Sequence, residues 1–187
     1  MKRLLTFMFL LQIGVTMYSQ EHLVFKGVEM NMQISKFAKE LRKQGFVQSF
    51  RDENTYLLEG KFAGYDCDIY LYPNISKDIY KAVVAIDCYS WGHTKSVYTE
   101  FCTGLTKKYG EALLIDETFK HPYAEGDGKE ITALCNDYAV YERTWILSNG
   151  KILLKMASDI EDKPLVLIAY IDSQKSVDIE DKMNADL

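Results

Sequence analysis

Little in this chain announces a chemistry. It has four cysteines and three histidines among 187 residues. No two of those cysteines stand in the close Cys-x-x-Cys spacing of a structural zinc site, and the sequence calls for no metal or other cofactor. No nucleotide-binding motif is present, and neither His22, His93 nor His121 sits in a recognisable triad context. Prolines number only three, and no low-complexity tract interrupts the chain, so nothing points to a collagenous or linker-rich protein. After the first twenty residues no apolar run is long enough to span a bilayer. Basic residues are also in deficit, 22 against 27 acidic ones, which argues against nucleic acid or an anionic membrane as partner.

What is present begins at the amino terminus. Met1-Lys2-Arg3 is followed by an apolar run from Leu4 to Val15, broken only by Thr6, Gln12 and Gly14, and then by Thr16 to Gln20. A cationic start, a short apolar stretch and small or polar residues form the pattern of a cleavable secretory signal, residues 1–19, with cleavage expected after Ser19. Cys67 is the nearest cysteine to that site, so no lipid attachment is expected at the new terminus. The sequence thus predicts a soluble protein, periplasmic or secreted, with no membrane insertion after cleavage. Loss of Lys2 and Arg3 leaves 20 basic residues against 27 acidic ones, a mature balance of −7.

Residues 20–173 are enough for one well-packed domain. The stretch 174–187, rich in Asp, Lys and Ser, reads as a flexible tail. Ile34, Phe37, Ala38 and Leu41 recur at i, i+3, i+4 and i+7, which predicts a helix from Gln33 to Gln44 capped by Gly45. Val97, Tyr98, Phe101, Cys102, Leu105 and Tyr109 repeat the pattern ahead of Gly110 and predict a second helix from Thr94 to Tyr109. Elsewhere the period is two. Cys67, Ile69 and Leu71 alternate with Asp66, Asp68, Tyr70 and Tyr72, and Ala82, Val84, Ile86 and Cys88 with Lys81, Asp87 and Tyr89. Further strands are expected over 56–62, 112–118, 138–147, 151–158 and 165–172, with Asn149-Gly150 as a tight hairpin turn. The resulting class is α+β, an antiparallel sheet of about seven or eight strands with two main helices on one face.

The two helices end alike, in Leu41-Arg42-Lys43-Gln44-Gly45 and Leu105-Thr106-Lys107-Lys108-Tyr109-Gly110, and each precedes several strands. This suggests a tandem duplication with halves 20–90 and 91–173. His22 to Val28, Leu41 to Phe46, Leu58 to Tyr65 and Lys107 to Gly110 together resemble a family of small exported proteins of unassigned function from anaerobic Gram-negative gut bacteria. Where members of that family often carry a glycine ahead of the first helix, this chain has Asn31-Met32. The order of elements is also similar to that of beta-lactamase inhibitory protein and of a small outer-membrane assembly lipoprotein, a likeness of fold that carries no residues across.

Candidate sites are few. Cys67, Cys88, Cys102 and Cys135 allow three pairings if all are oxidised, and buried free thiols are the alternative. A thiol enzyme would need Cys102 or Cys135 beside His93. Asp66 and Asp68 mark the wet face of a strand, and Glu125-Gly126-Asp127-Gly128-Lys129-Glu130 lacks the alternating ligands of a calcium loop. Asp159, Glu161 and Asp162 form a third acidic group. Aromatics are the richest resource, with thirteen tyrosines. Tyr70, Tyr72 and Tyr89 fall on positions that alternation assigns to solvent, close in sequence to Trp91, and are the expected ligand-binding surface. The sequence therefore favours an exported, non-enzymatic binding domain for an unidentified protein or small ligand. The alternatives are an extracytoplasmic hydrolase with a dispersed site and an inhibitor of a secreted enzyme.

Overall fold

A computed structural model describes residues 22–52 and 55–175. The expected signal segment 1–19 and most of the expected tail, from 176 onward, lie outside the described residues. Ser173 to Lys175 begin a helical turn, in which Lys175 donates to Asp78 Oδ2 at 2.9 Å.

Helix α1 spans Ile34–Lys43. Its four apolar positions Ile34, Phe37, Ala38 and Leu41 are all buried, as their spacing requires. Arg42 and Lys43 sit in its last turn, where they oppose the negative end of the helix dipole. Helix α2 spans Trp91–Tyr109 and starts three residues earlier than its apolar stripe suggests. The cause is Ser90, whose Oγ accepts the His93 amide at 3.2 Å. A cap fixes the first turn before any apolar residue is needed there.

The strands are β1 (Val24–Phe25), β2 (Val28–Glu29), β3 (Val47–Arg51), β4 (Tyr56–Phe62), β5 (Tyr65–Pro73), β6 (Ile79–Asp87), β7 (Leu114–Phe119), β8 (Ala139–Leu147), β9 (Gly150–Ser158) and β10 (Pro164–Asp172), with a short helix α3 (Glu130–Cys135) between β7 and β8. The first two form a small ribbon; the other eight form one antiparallel sheet in the order β3-β4-β5-β6-β10-β9-β8-β7. Each half is a helix followed by a four-strand meander, and the last strands of the two halves, β6 and β10, pair at the centre. The expected α+β class is therefore the observed one. Among the described residues no helix is long and apolar enough to cross a membrane.

Four elements were not expected: the two-residue strands β1 and β2, strand β3 and helix α3. Strand β3 is exposed at Val47, Ser49, Phe50 and Arg51 and slips register between Gln48 and Phe50, so its pattern shows no buried period. Helix α3, only six residues long, lies in the stretch between the strands expected over 112–118 and 138–147, for which no element was expected. One turn also differs. The β8–β9 hairpin turns on Ser148 and Asn149, and Gly150 already belongs to β9, paired with Leu147. Glycine is needed there for close approach: a Cβ on Gly150 would overlap the carbonyl oxygen of Ile171. Left-handed pairs close two other hairpins, Lys26-Gly27, at φ 52° and 76°, between β1 and β2, and Ala63-Gly64, at φ 49° and 95°, between β4 and β5.

Register explains the core. Leu58, Ile69, Val84, Ile168 and Leu154 are successive cross-strand partners, all with no exposed surface. They lie beneath α1 and α2, whose buried residues join them in a single apolar cluster. The same row continues to Arg143 and Ile115, where the cluster gives way to charge.

Candidate functional site

Among the described residues no helix lies on the opposite face of the sheet. Phe50, Leu57, Tyr70, Val83, Ala169, Leu153, Thr144 and Leu114 are successive cross-strand partners on that face. Together they make one row, largely apolar, across all eight strands. Leu57, Tyr70, Val83 and Leu153 are half-buried and Ala169 and Thr144 buried by their neighbours, while the edges are open: Phe50 is 53% and Leu114 60% exposed. Two of the small side chains on this face, Ala85 and Ala169, sit on the two central strands.

Tyr70 and Tyr72 lie on this face, two residues apart on β5 and both half-buried. Burial is the first cause that raises both phenol pKa values, and Lys81 Nζ stands 5.2 Å from the Tyr72 ring centroid. Tyr89 is not with them. It follows β6, is 81% exposed and stacks on His93 of α2 with centroids 4.1 Å apart. Trp91 is elsewhere again, edge-on to Phe119 and Tyr141 at 5.8 and 5.4 Å. The expected surface thus divides: two tyrosines share the sheet face, and the third belongs to the start of α2.

Charged side chains flank the row, acidic on β4 and β5. Glu59 and Asp68 are cross-strand partners, and burial, then Glu59, then Asp87 raise the Asp68 carboxyl above its ordinary value. Asp66 is exposed and pairs with Lys61 at 2.9 Å.

A second feature lies on the helix side, where α2 stops short of the β7–β8 edge. It is a groove of about 480 Å³ whose lining includes Lys95, Tyr98, Cys102, Glu117, Tyr141 and Arg143. Arg143 Nε donates to Glu117 Oε1 at 2.6 Å, and the Tyr98 hydroxyl donates to the same oxygen at 3.0 Å. The Arg143 guanidinium, by that hydrogen bond, holds the Glu117 carboxyl below the usual range, and Glu117 in turn raises Arg143. Lys95 pairs with Glu125, which also accepts from the Tyr141 hydroxyl at 3.2 Å.

Sequence reasoning missed Arg143 and Glu117, although a signal exists. Ala139, Tyr141, Arg143 and Trp145 share one parity on β8, and Ile115, Glu117 and Phe119 share one on β7. Each strand therefore places a charge on its inward side, which a strand does only where its core is open or the charge is paired.

The remaining candidates carry no assembled chemistry. All four cysteines are free, and Cys67, Cys88 and Cys102 are buried. Burial raises the thiol of each, that of Cys67 to about 11, which suppresses the thiolate a nucleophile needs. Cys135 Sγ lies 3.5 Å from the Asp162 carbonyl oxygen, and among the described residues no hydrogen bond joins a cysteine to His93. Asp127 accepts the Ala124 and Lys129 amides at 3.0 and 2.7 Å, and Glu130 accepts that of Gly126 at 2.9 Å. Asp159 likewise accepts the amides of Glu161 and Lys163. These acidic groups shape their own loops, and among the described residues no cluster of three or more His, Cys, Asp or Glu is disposed to hold a metal. No protein-family model, curated protein or solved structure matches the chain.

Proposed function

We propose that the chain is an exported, non-enzymatic binding domain that recognises a protein partner through the helix-free face of its sheet. The observation that carries this reading is the row from Phe50 to Leu114, a largely apolar path across the full sheet over which, among the described residues, no helix is laid. Interfaces of this kind place an apolar, partly aromatic centre inside a polar rim. Tyr70, Tyr72, Leu153 and Leu167 supply the centre; Glu59, Asp68, Lys151 and Lys155 supply the rim. The leader-like segment 1–19 supports a role outside the cytoplasm, and the acidic balance speaks against nucleic acid. The raised thiols, which among the described residues are hydrogen-bonded to no histidine, count against a cysteine hydrolase.

The test is capture from envelope and culture fractions of the native host, with the purified chain as bait. Tyr70→Ala combined with Tyr72→Ala should melt close to the parent and lose the captured partner, whereas Tyr89→Ala should retain it. If the double variant captures the same partner as the parent, the sheet face is not the recognition surface.

A further inference from the structure

Hydrogen-bond capacity in the groove between α2 and the β7–β8 edge is unbalanced. Its inner carboxylate, Glu117, is engaged by Arg143 and Tyr98, and two lining donors, Lys95 and Tyr141, are taken by Glu125, which lies outside the lining. Other donors are not engaged. Arg143 spends only Nε on Glu117, and its two Nη groups have no protein partner among the described residues. Lys107, on the lining, has no ion pair among the described residues. Thr99 and Thr103 also line the groove, but their hydroxyls donate back into their own helix, to the carbonyls of Lys95 and Thr99 at 2.7 and 3.0 Å. The remaining lining carboxylate, Glu111, is exposed, four residues beyond Lys107.

We propose that this groove is a binding site for a small organic carboxylate, held end-on by the two Nη groups of Arg143 with Lys107 as the second cation. Three features favour that class. The guanidinium is already oriented, because its Nε is tied to Glu117 and its side chain is only 26% exposed, so little rotamer freedom remains to be lost on binding. Its planar fork matches the two oxygens of a carboxylate. Glu117, held ionised beside it, keeps the local potential modest, which suits a single negative charge and disfavours a phosphate dianion. A cavity of about 480 Å³ is within the range of small-ligand sites. The site is separate from the sheet face, so either reading can fail without the other.

The probe is sodium benzoate, with benzamide as its uncharged isostere and inorganic phosphate as the anion control at matched ionic strength. In chain labelled with ¹⁵N-arginine, benzoate should move the Arg143 side-chain resonances with a dissociation constant in the millimolar range, and benzamide should bind roughly tenfold more weakly or worse. Arg143→Lys keeps the charge and loses the fork; it should weaken benzoate by about tenfold while the melt is retained. Lys107→Ala should weaken it less. The proposal is overturned if saturating benzoate leaves the Arg143 resonances in place, if benzamide binds as well as benzoate, or if phosphate moves the same resonances equally. Should Arg143→Lys fail to fold, the parent resonances under the three probes decide the matter alone.

Discussion

Asp68 shows how one side chain can be read correctly from sequence and still be incompletely known. Alternation places it on the side of β5 away from the core, and there it is. Its neighbours are a matter of register: Glu59 across the ladder and Asp87 nearby raise its carboxyl, after burial. A raised carboxyl favours the folded state only when protonated, so its contribution is fully present below the unfolded pKa and is lost as pH rises through the folded one. At neutral pH the charged Asp68 therefore opposes folding. Asp68→Asn should stabilise the chain at neutral pH by roughly 0.5 kcal/mol or less after solvent screening, and the gain should vanish below about pH 3, where both side chains are neutral. Thermal melts of parent and variant at the two pH values measure it; a loss of stability at neutral pH would mean that a hydrogen bond to the carboxylate matters more than the repulsion. Glu117 has the opposite sign. Its lowered pKa adds stability above the ordinary carboxylate range that disappears on acidification, so Glu117→Gln should destabilise at neutral pH and little at acid pH.

Among the secondary-structure elements, what the sequence disclosed followed how strongly burial imposes a period. Helix α1 and strands β4 to β6 and β8 to β10 each bury one side, and their apolar spacing locates them to within a few residues. Strand β3 buries almost nothing and α3 is too short for a period, so neither could be read. The Asn149-Gly150 pair was legible as a hairpin but not as to which residues turn, because the reason for Gly150 is the backbone of β10, a distant neighbour. That difference can be measured. Gly150→Ala drives a Cβ into the Ile171 carbonyl, backbone that cannot step aside, and should cost about 1–3 kcal/mol. Gly64→Ala meets nothing within 4 Å and carries only the strain of its φ of 95°, on the order of 1 kcal/mol. Urea denaturation should rank Gly150→Ala as the more damaging; the reverse order would return the glycine requirement to turn conformation.

For the whole molecule, the repeated order of helix and strands was visible in the two helix endings, but the way the halves meet was not. The sheet could have been closed by other strands; that β6 and β10 pair along seven registered positions, from Leu165 opposite Asp87 to Ile171 opposite Lys81, depends on both halves at once. Their cores are also continuous, since Phe25 and Phe37 from the first half pack with Tyr170 of the second through ring contacts of 6.3 and 5.1 Å about Phe25. Asp172, with no exposed surface, adds a further tie by accepting the Leu23 amide at 2.6 Å. Two halves joined by a shared ladder and a shared core should unfold together. The chain supplies its own reporters, because both tryptophans, Trp91 and Trp145, belong to the second half, and Trp145 is buried with its Nε1 donating to Gly110 O at 2.9 Å. Leu41→Ala removes a fully buried side chain of α1 in the first half and should cost about 2–5 kcal/mol, whereas Lys39→Ala, exposed on the same helix, should change little. If folding is one transition, the Leu41 variant must lower the melting temperature seen by tryptophan fluorescence by the same amount as that seen by far-ultraviolet circular dichroism. A tryptophan signal that kept the parent's midpoint while the dichroism shifted would show the second half standing by itself, with the β6–β10 seam as a contact between two folding units.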